Sequence, residues 1–223
     1  MKDQNLEGVL FDFCREVRIG LPEAVFCLGK PQSIVFDLLE QFQDRAVLFT
    51  RLSPDTFAQV SPILKTRYDY DPISQTAFAQ KNPPQNCPGT AAVVSAGSAD
   101  APAARECVRT LEFLGHEPAL FEDIGVAGLW RLAERLPDIN SHQVVVVVAG
   151  LDAALASVLG GLTPRPLIAV PTSVGYGLAK GGECALSSML VSCSPGVSVQ
   201  NIDNGYGAAC AAVRILNLLS GRK

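Results

Sequence analysis

The sequence lacks the features that mark nucleic-acid-binding and membrane proteins. Its net charge is −4, and we find no basic stripe along any predicted helix, so no nucleic acid is expected as a partner. No apolar run approaches the roughly 20 residues that span a bilayer. The longest, VVVVVAG at 144–150, has the length of a strand. The start, MKDQNLEGVLFDF, lacks the apolar core of a signal peptide, so we expect a cytoplasmic protein without a membrane partner.

The seven cysteines are odd in number and include no C-x-x-C pair. This spacing argues against a zinc site, and a cytosolic chain of this size is not expected to carry a disulfide framework. Most thiols are expected to be small buried hydrophobic groups. From the residue pattern alone, Cys193 is therefore expected to be structural. The cysteines are Cys14, Cys27, Cys87, Cys107, Cys184, Cys193 and Cys210.

Proline and glycine cluster in NPPQNCPG at 82–89, which predicts a linker. We therefore divide the chain into a small N-terminal α/β domain, 1–85, and a larger domain, 86–223. The pattern of the first domain predicts a helix at 33–42, a strand at 46–50, a helix at 53–64 and an extended return or hairpin at 68–79. The charged segment 12–30 is typical of a solvated amphipathic helix followed by a loop.

The second domain alternates apolar strands with helical segments. Such strands indicate a parallel sheet covered by helices on both faces, with ligands bound beyond the carboxyl ends of the strands. The strands are predicted at 91–97, 117–121, 144–150, 166–170 and 196–202, and the helices at about 101–115, 126–136, 151–160, 181–191 and 207–219.

The loops after these strands carry the candidate functional residues. In SAGSAD (95–100), Ser98 and Asp100 stand at a helix N-terminus, which suits either an anion or an ordinary N-cap. Neither a Walker loop nor a dinucleotide fingerprint is present. Asp152 is either a favourable N-terminal charge or a base in an apolar pocket. The glycine-rich VPTSVGYGLAKGGE (170–183) is too apolar for a solvated linker and indicates a ligand loop.

Several motifs together resemble the LarB family, the carboxylase/hydrolase of nickel-pincer nucleotide cofactor synthesis. They are AGLDAALASVLGGL, PLIAVPTSVGYG, GGECAL, SCSPGVSVQNIDNGYGAA, SAGSAD, DIGVAGLWRL and REVRIGLPEAVFCLGK. The resemblance covers nearly the whole chain. The second domain also resembles aminoimidazole ribonucleotide carboxylase, which implies a PurE-like, Rossmann-like three-layer α/β/α fold.

The resemblance implies carboxylation of nicotinic acid adenine dinucleotide at C5 of its pyridinium ring and cleavage of its phosphoanhydride. Carbon dioxide or bicarbonate is the co-substrate, and Mg²⁺ is expected as the divalent cation. The products are pyridinium-3,5-biscarboxylic acid mononucleotide and AMP. A symmetric homo-oligomer, often an octamer, is implied as well.

By the same resemblance, Cys193 is the nucleophile that adds to the ring, and Asp152 is the base. The substrate-binding residues that it implies or suggests are Ser98, Asp100, Arg131, Pro171, Thr172, Ser173, Gly175, Tyr176, Gly177, Asp203 and Asn204, with Arg15, Arg18 and Lys30 as candidates for the adenylate. The metal ligands are not indicated.

The chain departs from the family pattern at Val191, Ala153, Lys180 and Glu183. Two other functions stay open. An aminoimidazole ribonucleotide carboxylase or mutase needs a histidine in the glycine loop, whereas His116 and His142 precede predicted strands, at the wrong ends. A non-catalytic nucleotide-binding relative would bind the dinucleotide without turning it over, and Val191 and Lys180 leave this open.

Overall fold

The computed structural model describes residues 5–6, 9–79 and 89–221. The chain divides into two compact units, Met1–Pro83 and Pro84–Arg222. The boundary predicted at 85/86 and nearly all of the predicted linker lie outside the described residues.

The N-terminal unit is a small α/β structure. Its described four-stranded sheet has the order β3-β4-β6-β5, with β3 and β4 parallel and the other pairs antiparallel. Its elements are β1 (Asn5–Leu6), β2 (Val9–Leu10), α1 (Arg15–Ile19), β3 (Ala24–Phe26), α2 (Gln32–Phe42), β4 (Leu48–Thr50), α3 (Pro54–Ala58), α4 (Pro62–Lys65), β5 (Tyr68–Asp71) and β6 (Thr76–Ala79).

Local sequence accounts for most of these elements. Helix α2 buries Val35, Leu38, Leu39 and Phe42 on one face, at the predicted helical spacing. The hairpin predicted at 68–79 is confirmed by the antiparallel pairing of β5 with β6. The single helix predicted at 53–64 is wrong, because Ser61 caps a second helix that starts at Pro62.

The predicted helix in segment 12–30 is short, and the predicted loop after it contains a strand. Helix α1 ends at Gly20, whose φ of 73° is left-handed, and buries none of its residues. Strand β3 follows and buries Val25 in the core of this unit. A strand there was not predicted, since three residues give too little alternation to recognise.

The second unit confirms the predicted parallel sheet. Five strands in the order β11-β10-β9-β7-β8 pair in parallel throughout. The strands are β7 (Thr90–Ser95), β8 (Glu117–Phe121), β9 (Val144–Ala149), β10 (Leu167–Pro171) and β11 (Val197–Val199), and the helices are α5 (Ala101–Phe113), α6 (Leu129–Asn140), α7 (Ala154–Gly160), α8 (Glu183–Leu190) and α9 (Gly205–Leu219).

Helices cover both faces of this sheet. Helices α6, α7 and α8 pack on one face with side chains such as Leu132, Leu155 and Met189. Helices α5 and α9 pack together on the other face. Strand β9 lies at the centre, and all six of its residues are buried, as its unbroken valine run predicted.

Some predicted bounds in this unit are wrong. The last strand ends at Val199 rather than 202, because it lies at the sheet edge and pairs with only one neighbour, β10. The helix predicted at 126–136 begins at Leu129, after a 3₁₀ turn, and continues to Asn140. The helix predicted at 181–191 spans Glu183–Leu190, since Gly181 and Gly182 have left-handed φ angles of 80° and 85°.

Candidate functional site

Asp100 joins two of the predicted ligand loops at the carboxyl ends of the strands. Its Oδ1 accepts a hydrogen bond of 2.6 Å from Thr172 Oγ1, in the loop after β10. Its Oδ2 accepts a hydrogen bond of 2.9 Å from the backbone N–H of Gly97, after β7. Asp100 occupies the N-cap position of α5 without a side-chain bond to that helix, and its bond to Gly97 belongs to a capping box of the preceding 3₁₀ turn, Ser98–Asp100.

Burial controls the charge of Asp100. The residue is only 4% exposed, and this burial raises the pKa of its carboxyl group above the usual value. The hydrogen bonds from Thr172 and from the Gly97 and Gly150 backbones act in the opposite direction, and the nearby charge of Asp203 raises the pKa further. Asp100 is thus a carboxyl group whose proton is retained to higher pH than that of a solvated aspartate.

Asp203 connects the loop after β11 with the loop after β10. Its Oδ1 accepts a hydrogen bond of 2.8 Å from the N–H of Ser173, and its own N–H donates to the Pro171 carbonyl at 2.8 Å. Its φ of 58° is left-handed. Asn204 beside it caps α9 by accepting from the N–H of Gly207 at 2.8 Å.

Glu106 also forms a hydrogen bond near these loops, and it was not among the residues predicted from the sequence. It lies on α5, is 3% exposed, and its Oε2 accepts a hydrogen bond of 3.2 Å from the N–H of Tyr206 in the first turn of α9. A signal was present, since Glu106 falls on the same helix face as the buried Ala103, Cys107 and Thr110. Its carboxylate fixes the helix that begins just after Asp203.

Gly150 allows the loop after β9 to approach the loop after β10, and Gly182 allows the end of the β10 loop to fold back on its own start. A Cβ at Gly150 would lie 2.4 Å from the Val174 carbonyl oxygen and 2.6 Å from Thr172 Oγ1. A Cβ at Gly182, whose φ is already left-handed, would lie 2.8 Å from the Thr172 carbonyl oxygen. The N–H of Leu151 donates to the Val174 carbonyl at 2.9 Å and closes the contact. The glycine-rich segment is thus packed at its two ends.

Between these ends, the glycine loop is open to solvent. Tyr176 and Leu178 are 83% and 100% exposed, and Gly177 and Lys180 are exposed as well. Ser173 is exposed, Gly175 is half-buried, and Pro171 is buried as the last residue of β10. The predicted ligand loop therefore presents an aromatic ring and a large apolar side chain to its surroundings.

Cys193 is exposed, so the expectation of a buried structural thiol is wrong for this residue. It lies between α8 and β11, and its neighbours hold the segment in place. Ser192 Oγ lies 2.7 Å from Ser157 Oγ on α7, and Ser194 Oγ donates to the Ser157 carbonyl at 2.6 Å. These two serines face α7 and leave the thiol between them outside the core.

Asp152 is also exposed and lies just before α7, where its Oδ1 accepts a hydrogen bond of 3.3 Å from the N–H of Ala154. The structure thus places it outside the apolar pocket that one reading of the sequence required. Cys193, by contrast, lies before β11, between two serines that contact Ser157 in the middle of α7. The structure therefore brings Asp100, Thr172, Ser173 and Asp203 together but leaves Cys193 apart from that cluster.

The remaining predicted residues are dispersed. Ser98 is exposed in the 3₁₀ turn after β7. Arg131 on α6 donates from one terminal nitrogen to the carbonyl and to Oδ2 of Asp123, at 2.8 and 2.9 Å. His116 and His142 precede β8 and β9, as the sequence indicated.

The three predicted cations of the N-terminal unit flank or belong to α1 and the loop after β3. Arg18 donates a hydrogen bond to Asp12, and this bond lowers the pKa of the Asp12 carboxyl group. Arg15 is half-buried and Lys30 is exposed.

Within the described ranges, no group of three or more histidine, cysteine, aspartate or glutamate side chains is arranged to hold a metal ion. Both oxygens of Asp100 already accept hydrogen bonds from protein groups.

None of the helices that the structure describes is long and apolar enough to cross a membrane.

Comparison with known proteins gives two family matches. Residues 90–221 match the AIR carboxylase model, and residues 4–81 match the LarB/PurE-like N-terminal domain. An uncharacterized protein of Methanocaldococcus jannaschii is 34% identical over 222 residues, which cover 96% of this chain and 86% of that protein. The N5-carboxyaminoimidazole ribonucleotide mutase of the same organism is 34% identical over 131 residues, or 56% of this chain and 78% of the mutase.

Proposed function

Because the chain belongs to the LarB family, with a LarB/PurE-like N-terminal domain before an AIR carboxylase domain, we propose that it carboxylates nicotinic acid adenine dinucleotide. Carbon dioxide, supplied as such or from bicarbonate, is added at C5 of the pyridinium ring. Hydrolysis of the phosphoanhydride then releases AMP and pyridinium-3,5-biscarboxylic acid mononucleotide, a precursor for nickel-pincer nucleotide synthesis.

The exposed thiol of Cys193 is the observation that carries this proposal. Two of the other described cysteines, Cys27 and Cys107, are buried, and burial raises the pKa of both thiols, that of Cys27 to about 12. Such thiols are poor sources of thiolate, which is the nucleophilic form. Cys193 is accessible, and it lies in the SCSPGVSV motif that carries the family resemblance.

A pyridinium ring is too electron-poor to attack carbon dioxide. Addition of a thiolate to the ring overcomes this, because it makes C5 nucleophilic. Addition of sulfur at C4 forms a C–S bond and converts the ring to a dihydropyridine with a nucleophilic C5. A C–C bond then forms between C5 and carbon dioxide. Asp152, as the base, takes the proton from C5, and the thiolate leaves C4 as aromaticity returns. The thiolate is regenerated and no redox partner is consumed.

The two predicted catalytic groups lie at different places in the chain's fold, yet the reaction needs both at the same ring. Asp152 precedes α7, whereas the two serines that flank Cys193 contact Ser157 in the middle of that helix. We propose that the protein forms a homo-oligomer in which a second copy brings Cys193 to the ring. The exposed Leu190 and Val191 next to Cys193 support such a contact, since apolar side chains of this size are usually covered at interfaces.

A divalent cation, expected to be Mg²⁺, would act on the phosphate groups during anhydride cleavage. The described residues do not form a ready site for it, and no step above passes through the metal. Asp100, Thr172 and Ser173 belong to a cluster at the strand ends where the nucleotide is proposed to bind.

The test is product analysis by mass spectrometry. Wild type is incubated with nicotinic acid adenine dinucleotide, bicarbonate and Mg²⁺, beside Cys193→Ala and the matched control Cys14→Ala, which removes another exposed thiol. We expect AMP and the dicarboxylated mononucleotide from wild type and from Cys14→Ala, and no dicarboxylated product from Cys193→Ala. Equal dicarboxylated product from all three would remove Cys193 from the mechanism.

An aminoimidazole ribonucleotide carboxylase or mutase is the second candidate. The AIR carboxylase match and the similarity to the mutase favour it. The positions of His116 and His142 before β8 and β9, away from the ligand loops, oppose it. Turnover of the aminoimidazole ribonucleotides without turnover of the dinucleotide would select this candidate, and binding of the dinucleotide without turnover of either substrate would select a non-catalytic relative.

A further inference from the structure

A cavity of about 400 Å³ opens along the edge strand β8, outside the cluster around Asp100. It is lined by residues 120–124 and by four side chains of α6, Trp130, Arg131, Glu134 and Arg135. Its volume lies within the range of small-molecule sites, which is roughly 300–1,000 Å³.

Trp130 is the feature that marks this cavity as a binding site. It is the only tryptophan in the chain, and it is 64% exposed. The buried residues of α6 are Leu132 and Ile139, so Trp130 is not needed for the core. An exposed indole ring in a concave wall offers a flat surface on which a planar heterocycle stacks.

The backbone of β8 adds hydrogen-bonding groups. In the described sheet β8 is the last strand and pairs only with β7, so its outer edge has N–H and C=O groups outside the ladder. Five consecutive residues, 120–124, line the cavity along this edge. A purine ring has donors and acceptors on its edge that match such alternating backbone groups.

Two of the carboxylates in the wall are already in ion pairs, which leaves Glu134 to contact a ligand. Glu122, Asp123 and Glu134 carry the negative charges of the wall, and Arg131 and Arg135 carry its positive charges. Arg131 is already held by Asp123, and Arg105 pairs with Glu122 at 3.2 Å. Glu134 lies outside these two ion pairs, and its carboxylate can accept a hydrogen bond from an exocyclic amino group.

The cavity adjoins the site at the strand ends. The N–H of Ile124 donates to the Ser95 carbonyl at 2.9 Å, and a Cβ at Gly125 would lie 2.8 Å from the Ala96 carbonyl oxygen. The cavity wall therefore continues directly into the loop that carries Gly97, Ser98 and Asp100.

From these observations we infer that the cavity between β8 and α6 binds the purine ring of a nucleotide. Resting on the proposed function, this ring is the adenine of the dinucleotide substrate and of the AMP product. Trp130 stacks on the base. The backbone of β8 and the carboxylate of Glu134 form hydrogen bonds with the polar atoms of the base.

The single tryptophan makes the test direct, because all indole emission comes from this cavity. The full-length protein is titrated with AMP, with adenosine and, for comparison, with nicotinic acid mononucleotide. We expect AMP and adenosine to quench or shift the Trp130 emission in a saturable way, with no change on addition of nicotinic acid mononucleotide. In calorimetry, Trp130→Ala should weaken AMP binding by at least tenfold, and Glu134→Gln should weaken it less.

Leu129→Ala is the matched control, because Leu129 is exposed on the same helix but is not among the residues that line the cavity. It should bind AMP as wild type does, and circular dichroism of all variants should match. Emission that changes with protein concentration but not with AMP would assign the cavity to a contact between copies and overturn the inference.

The two proposals fail in different ways. Turnover of the dinucleotide with no effect of AMP or of Trp130→Ala would overturn the purine site and leave the reaction standing. Saturable AMP quenching without any dicarboxylated product would support the purine site and overturn the reaction.

Discussion

Thr172 donates a hydrogen bond of 2.6 Å to Asp100, although the two residues are 72 positions apart in the chain. Both side chains are buried, and the bond joins the loops that follow β10 and β7. A buried hydrogen bond to a carboxyl group of this kind determines the relative position of two ligand loops. The first prediction therefore concerns a mutation that removes this hydrogen bond.

Thr172→Val should lower the free energy of unfolding by about 1–3 kcal/mol, because the Asp100 oxygen is left buried without this donor. Thr172→Ser keeps the hydroxyl and is the control. Both variants are compared with wild type by urea denaturation at pH 7, with dinucleotide affinity measured alongside. A serine variant that is destabilised as much as the valine variant would mean that packing of the methyl group, rather than the hydrogen bond, accounts for the loss.

The pH dependence of stability should reveal the buried charge of Asp100. Burial raises its folded-state pKa above 3.8, so the folded state holds this proton to higher pH than the unfolded state does. Its contribution to the free energy of unfolding therefore falls as pH rises from about 3.8 through the folded pKa. Neighbouring groups that act on this pKa are Thr172, the Gly97 and Gly150 backbones, and Asp203.

This dependence is isolated by comparison with Asp100→Asn, which does not titrate. The free energy of unfolding is measured by urea denaturation between pH 4 and 8. The difference, wild type minus variant, should decrease as pH rises. An increase would show that hydrogen bonding to the carboxylate outweighs its burial, since the ionised form would then be the one that the fold favours.

The sheet could be predicted because its sequence signals are strong. Runs such as 144–149 are apolar throughout, and a helical segment follows each run, so a parallel sheet with two covered faces is the natural solution. The short elements could not be predicted as well. Strand β3 has three residues, and the break between α3 and α4 depends on the cap at Ser61.

The strand ends were predicted to carry the site, but the contacts within it were not. Spacing along the chain does not show that Thr172 reaches Asp100, or that Glu106 holds the start of α9. It also does not show which side of its loop Cys193 occupies. The two flanking serines turn toward α7, and this leaves the thiol exposed. Trp130 lay within a recognised motif, DIGVAGLWRL, but only the fold shows the cavity beside it.

Thiol labelling should distinguish the cysteines by their burial. At pH 8, iodoacetamide should modify Cys193 and Cys14 rapidly, since both are exposed. Cys27 and Cys107 should stay unmodified in the folded protein, because they are buried and their thiol pKa values are raised, for Cys27 to about 12. Peptide mass spectrometry of time points assigns the rates.

The same labelling experiment, repeated in the presence of substrate, tests whether Cys193 lies in the substrate site. Saturating nicotinic acid adenine dinucleotide should slow the modification of Cys193 and leave that of Cys14 unchanged. Cys14 thus serves as an internal control in the same sample. Equal rates for Cys193 with and without dinucleotide would place its thiol outside the substrate site.

Mixing two inactive variants should test whether a second copy supplies Cys193. Asp152→Asn should lose about 10²- to 10⁴-fold in rate as a missing base, and Cys193→Ala should give no dicarboxylated product. If the two residues act from different copies, a mixture in which subunits exchange contains some sites with both groups intact. We expect such a mixture to regain a fraction of wild-type activity, measured as dicarboxylated product.

The control mixture pairs each single variant with the double variant Cys193→Ala/Asp152→Asn, which has no intact site to contribute in either arrangement. Exchange itself is checked by co-purification of tagged with untagged copies. No recovery in an exchanged mixture would mean that Cys193 reaches the ring of its own chain through a movement of segment 191–196. Recovery would assign the thiol to a neighbour, because only a site that combines groups from two copies can then contain both an intact Cys193 and an intact Asp152.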